Sequence, residues 1–291
     1  MPDHFEIRLT GKLAPGNQVS ARTLSHSLLH VQRAVDKMVI FEKRGVLRKY
    51  AGLKSEEYAE ADLIVQQFQE GSIRIPLIND AYGWLSQKFN ELVFDQYQTA
   101  AHEIAVVVQP LDKQVPAALN RALHKRQNGN RQSDLIDDQA RREAEYLKSA
   151  VLQEINGLIS PLRSSAITEA ETISFTVGHG RRRTNYEFDK RVSKQFNRLV
   201  SSKRLGPETL YTGTLAGLGQ KRSGRFKFQG QFVSSITGDE MTLLISREED
   251  ATALNDFNLK NHEFSFWASP VTTFGAFDEQ RGDIVFLAFP R

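Results

Sequence analysis

A change of hydrophobic period near residue 207 constrains this chain most. Upstream, apolar residues recur over long stretches at helical spacing, whereas downstream they alternate in short runs separated by turn residues. Ser201-Ser202-Lys203-Arg204-Leu205-Gly206-Pro207 reads as the linker between the two regimes. The chain has 291 residues, 40% of them hydrophobic, which is enough for two cores of ordinary size. The expected class is α+β, with an α+β domain over residues 1–200 and a small β-barrel over residues 208–291.

In the first domain, Phe5, Ile7 and Leu9 alternate with polar residues and predict a strand. Ser20 then caps a helix carrying Leu24, Leu28, Val31, Val35, Met38 and Val39, which ends near Gly45. Two strand patterns flank Glu70-Gly71 as a hairpin, and Pro76 predicts that the second arm is an edge or ends early. The N-terminal unit thus reads β-α-β-β. Asp80 can cap a long helix through Trp84, Phe89, Val93 and Ile104. A helical hairpin follows, with arms from Val115 to Lys125 and from Leu135 to Ile159. Residues 172–177 read as a strand, Gly178 to Arg183 as a turn or loop, and Asn185 to Val200 as a helix. Phe188, Val192, Phe196 and Leu199 form one stripe of that helix, while Lys190, Arg191, Lys194 and Arg198 lie on the other side.

Beyond the linker, strands are predicted near 209–217, 224–233, 240–246, 262–268 and 283–289, with a helix at 248–258 and an extension of the fourth strand over Val271 to Phe277. This β-β-β-α-β-β order resembles that of the OB fold, a five-stranded barrel, and an SH3-like barrel remains the alternative.

Charge is distributed unevenly. Residues 179–227 hold thirteen Lys and Arg against three acids, a local charge of +10, although the whole chain carries +3. Such a segment is the footprint of a surface that meets a polyanion. Arg181, Arg182 and Arg183 lie beside two glycines, so guanidinium and backbone N–H donors could face phosphates together. Lys190, Arg191, Lys194 and Arg198 extend that track, and Lys221, Arg222, Arg225 and Lys227 form a second basic group around Phe226 and Phe228. Aromatic platforms beside basic grooves suit single strands, but the same rings can simply fill a small barrel, which is the favoured reading. The arginines could instead solvate a surface or pair with acids elsewhere in the chain, but a polyanion surface is the favoured reading.

Other chemistry has little support. The chain has no cysteine, so disulfides, thiol nucleophiles and thiolate metal sites are excluded. No G-x-S-x-G elbow or dinucleotide fingerprint occurs, and Gly213, Gly217 and Gly219 before Lys221 miss the phosphate-loop spacing and read as a hairpin turn. His26 and His30 lie four apart without a clear third ligand, and helix-surface or partner-contact roles suit them better. Asp137-Asp138 and Asp239-Glu240 read as a helix start and a turn. His179 beside the arginines could act on a phosphate as an acid or base.

The leading expectation is a non-enzymatic nucleic-acid-binding protein within a larger bacterial or phage assembly, with no cofactor, no metal and no catalytic residue. DNA and RNA are not distinguished. The alternative is a scaffold or accessory subunit, conceivably of a mobile-element or antiviral defence system, whose basic segment docks an acidic protein or a second copy. A phosphoesterase or nuclease is third. The absence of an apolar run of about 20 residues, together with the absence of cysteine, leads to the expectation of a cytoplasmic protein away from membranes.

Overall fold

The computed structural model describes residues 3–65, 73–79, 84–102, 109–124, 131, 139–179, 182–260, 262–278 and 281–290. It is a mixed α+β chain with seven α-helices among these residues and a closed five-stranded β-barrel in the C-terminal region. No described helix is long and apolar enough to cross a membrane. The chain forms two compact units. One comprises residues 1–47, 51–106 and 147–201, and the other 48–50, 107–146 and 202–291. The chain passes from one unit to the other between residues 201 and 202, and residues 48–50 and 107–146 group with residues 202–291.

The first unit is built on an antiparallel sheet. Strands β1 (Asp3–Leu9), β2 (Ile64–Val65), β3 (Ile73–Asn79), β4 (Ile173–His179) and β5 (Arg182–Phe188) lie in the order β2-β3-β1-β4-β5. Alternation buries Phe5, Ile7 and Leu9 beside Ile75, Leu77, Phe175 and Val177, so one face carries the core. Helix α1 (Ala21–Arg44) starts where the Ser20 hydroxyl accepts the Thr23 N–H at 3.1 Å. It stops at Gly45, whose φ of 66° is the left-handed conformation that glycine adopts without a Cβ penalty. The short helix α2 (Tyr58–Ala61) precedes β2, and α3 (Leu85–Ala101) sets Phe89 against the sheet, 5.0 Å from the Phe175 ring.

Several sequence expectations are corrected here. Pro76 does not place β3 at an edge or shorten it, since β3 lies between β1 and β2 and runs to Asn79. The described pairing with β2 involves only Leu77 and Ile78. Asp80, Ile104, the hairpin turn at Glu70-Gly71 and the Asp137-Asp138 pair lie outside the described residues. The turn of the expected helical hairpin, residues 127–132, lies outside the described residues apart from Arg131. Helix α4 (Leu111–His124) turns Leu111, Val115, Ala118 and Ala122 onto the barrel, while α5 (Gln139–Leu158) begins in the second unit and continues into the first.

His26 and His30 are half-buried rather than exposed on the helix surface. His26 Nε2 lies 2.9 Å from the Gly157 carbonyl and 3.1 Å from Ser160 Oγ, and His30 Nδ1 lies 2.6 Å from Glu154 Oε2. The rings stack edge to face at 4.5 Å and join α1 to α5. Among the described residues no group of three or more His, Asp or Glu is placed to hold a metal ion.

The barrel uses β7 (Thr209–Gln220), β8 (Phe228–Ser234), β9 (Glu240–Ile245), β10 (Phe264–Thr273) and β11 (Asp283–Ala288). They close in the order β7-β8-β9-β11-β10-β7. Neighbours are antiparallel except β9 and β11, which are parallel. Helix α7 (Glu248–Lys260) connects the third and fourth barrel strands. Tyr211, Leu215, Phe232, Leu243, Phe266 and Phe286 fill the interior, as a small barrel requires. The supposed linker contains a further strand, β6 (Lys203–Leu205), paired with β10.

Candidate nucleic-acid interface

The structure divides the +10 segment between the two units. Residues 179–201 contribute seven basic side chains against two acids, and residues 202–227 six against one, so each unit receives +5. The segment is therefore two patches, one in each unit.

In the first unit, the expected turn and loop at Gly178 to Arg183 and helix from Asn185 are replaced by the β4–β5 hairpin followed by α6 (Lys190–Val200). Period two prevails because Tyr186 and Phe188 are buried alternately with exposed Asn185 and Glu187. Asp189, which breaks the strand, caps the helix by accepting the Val192 N–H at 2.6 Å. Arg181 lies outside the described residues, and only backbone is described for Arg182 and His179, which are register partners. Arg183 is exposed on the edge strand, where cations also discourage unwanted strand pairing.

Helix α6 is fixed from its buried side. Ser193 Oγ donates to the Ile159 carbonyl at 3.1 Å, Arg163 donates to Ser193, and Asn156 donates to Asn197 at 3.0 Å. Burial lowers the Arg163 pKa below its ordinary value. Arg191, Lys194 and Arg198 remain exposed on the opposite side. Lys190 does not join them, because its ammonium donates to the Ile167 carbonyl at 2.5 Å.

The second patch is a single loop. Between β7 and β8, residues 221–227 carry Lys221, Arg222, Arg225 and Lys227 without an acid, and all four are exposed. The Lys221 N–H donates to the Lys227 carbonyl at 2.8 Å and closes the loop. Gly224 makes the turn at φ 112°, which side-chain-bearing residues rarely adopt. Gly213, Gly217 and Gly219 are not this turn, since all three lie within β7, where a register shift occurs between Leu215 and Gly217.

Phe226 anchors the loop from below. It packs with Leu111, Val115, Trp267 and Val285 on the outside of the barrel, whereas Phe228 packs toward the interior. The two rings thus occupy opposite sides of the barrel wall and share no face. Arg225 Nη1 lies 3.8 Å from Asp112 Oδ1, but both side chains are well exposed and such a pair contributes little.

Helix α4 covers Leu244, Trp267, Val271, Val285 and Leu287 on the outer wall. Gln229, Gln231 and Val233 of β8 point outward and stay partly or fully exposed. Asp278 of the β10–β11 loop, Asp283 of β11 and Glu143 of α5 hold a tripeptide that sequence reasoning passed over. Asp278 Oδ2 accepts the Lys49 N–H at 2.8 Å, Asp283 accepts the Lys49 ammonium at 2.8 Å, and Arg48 donates to Glu143 at 2.5 Å. Partial burial opposes charge on Lys49, yet its hydrogen bond and attraction to Asp283 prevail and raise its pKa. Arg48-Lys49-Tyr50 did offer a signal, the interleaving of basic and aromatic residues. Lys203 and Arg204, exposed on β6, were obscured by the linker reading.

Comparison with protein-family models, curated proteins and solved structures finds no match for this chain.

Proposed function

We propose that this is a non-enzymatic nucleic-acid-binding protein whose OB-like barrel grips phosphates through the β7–β8 loop. The observation carrying this reading is the placement of Lys221, Arg222, Arg225 and Lys227 on one acid-free loop of a closed five-stranded barrel. Its strand order, parallel β9–β11 pair and helix before the fourth strand favour the OB-like over the SH3-like alternative. OB folds bind oligonucleotides on the face of their second and third strands and by the loops joining strands one to two and four to five. The β7–β8 and β10–β11 loops are the counterparts of those loops. Arg183, Arg191, Lys194 and Arg198 of the first unit offer further phosphate contacts.

Fluorescence anisotropy of labelled single-stranded DNA, duplex DNA and RNA at several salt concentrations tests the reading. Binding should weaken with salt, with a logarithmic slope of about −0.7 per phosphate contact on a single strand. Replacing Lys221, Arg222, Arg225 and Lys227 together by Ala should weaken binding and flatten that slope. Absence of binding at low salt, or an unchanged slope in the folded variant, overturns it and turns attention to an acidic protein partner.

A further inference from the structure

We propose that Tyr50 is a base-stacking platform, and that the preferred ligand of the barrel is consequently a single strand with unpaired bases. The inference rests on the nucleic-acid reading above. Its starting point is the contrast between Tyr50 and its anchored neighbours. Tyr50 is 75% exposed, although the two residues before it are fixed. Arg48 is held by Glu143, and both the backbone N–H and the ammonium of Lys49 are held by carboxylates. A solitary exposed aromatic is ordinary at a protein surface. One that ends a tripeptide tied through three polar contacts has lost much of its backbone freedom before any ligand arrives, which lowers the entropy cost of using it.

The position and chemistry of the ring point to the same partner. Asp278 belongs to the β10–β11 loop, one of the two loops with which OB barrels hold oligonucleotides, so Tyr50 stands beside a candidate ligand path. The Lys49 ammonium lies 5.5 Å from the ring centroid, placing a cation next to a flat apolar surface. A stacked base suits that surface, while the ammonium itself stays paired with Asp283. Phe226 and Phe228, the aromatic residues near the basic loop, are turned into packed clusters and present no comparable face. The platform thus comes from a segment outside the barrel strands. Duplex ends aside, bases in a helix are already stacked on one another, so an exposed platform favours unpaired bases.

Anisotropy with the full-length protein tests the assignment using labelled oligothymidylate, an abasic strand of equal length and a duplex. Tyr50→Ala should weaken oligothymidylate binding about tenfold and leave the salt slope and the abasic affinity unchanged. Tyr50→Phe should bind within about twofold of the native protein, since a phenyl face also stacks. If the native protein binds but Tyr50→Ala binds oligothymidylate equally well, the platform is refuted while the phosphate reading survives. Equal losses on the abasic strand, or tighter native binding to duplex, also overturn it. If the native protein binds none of these strands at low salt, both readings fall.

Discussion

The carboxylate of Asp278 accepts the backbone N–H of Lys49 at 2.8 Å, joining residues 229 positions apart in sequence. The same side chain accepts the Arg281 N–H at 3.0 Å, so one buried acid organises both a barrel loop and a distant tripeptide. Asp278→Ala leaves two backbone donors without this acceptor and is expected to cost about 1–3 kcal/mol. Urea unfolding should show the loss, and Asp278→Asn, which keeps an acceptor oxygen, should lose less.

Gly157 lies against the imidazole of His30. A Cβ built there would approach His30 Cε1 to 2.3 Å, so Gly157→Ala should destabilise the first unit by about 1–3 kcal/mol through overpacking. Because the obstruction is the ring itself, Gly157→Ala should cost less in a His30→Ala background. Additive losses in a double-mutant cycle would contradict the contact.

Glycines on one barrel strand should behave differently. At Gly213 a Cβ would lie 2.0 Å from the Val233 carbonyl oxygen and close to Phe232, whereas at Gly219 nothing lies within 4 Å. Gly213→Ala is therefore expected to destabilise the barrel severely, and Gly219→Ala to alter its stability by less than about 0.5 kcal/mol. Thermal unfolding of the pair provides the comparison.

Burial would raise the Glu154 pKa, but the Lys37 charge and the hydrogen bonds from Lys37 and His30 bring it below its ordinary value of 4.5. Its stabilising contribution is therefore present above that value and is lost as pH falls through the lower folded pKa. Glu154→Gln should flatten the acid side of a stability-versus-pH curve. An equally steep decline in the variant would assign acid sensitivity to other groups.

Phe226 separates packing from recognition. Buried against α4 and the outer barrel wall, it should cost about 3 kcal/mol when replaced by Ala. The folded fraction should bind oligonucleotide without a change in base preference. A selective loss for unpaired bases would give this ring the stacking role assigned to Tyr50.

The barrel was largely legible because its strands alternate apolar and polar residues and are bounded by turn chemistry. Helix α1 was legible because Ser20 and Gly45 mark its ends. Strand β5 was missed because arginines and Asn185 mask an alternation visible only at Tyr186 and Phe188, and the helical stripe beyond it absorbed both. The reading of Val115 to Lys125 as a helix could not say against which surface it packs. Tyr50 escaped notice because its setting is made by Glu143, Asp278 and Asp283, all far away in sequence.

Interleaving of the two units has a consequence for synthesis on the ribosome. Strand β1 lies between β3 and β4, so the first sheet must wait for residues 173–179 before its central strand has both neighbours. The apolar face of α4 waits longer, because Val285 and Leu287 emerge long after α4 itself. Until then that helix carries an uncovered sticky surface on the nascent chain, a point at which chaperone demand should concentrate. A fragment starting at residue 202 would leave the complementary barrel surface bare, favouring aggregation over autonomous folding.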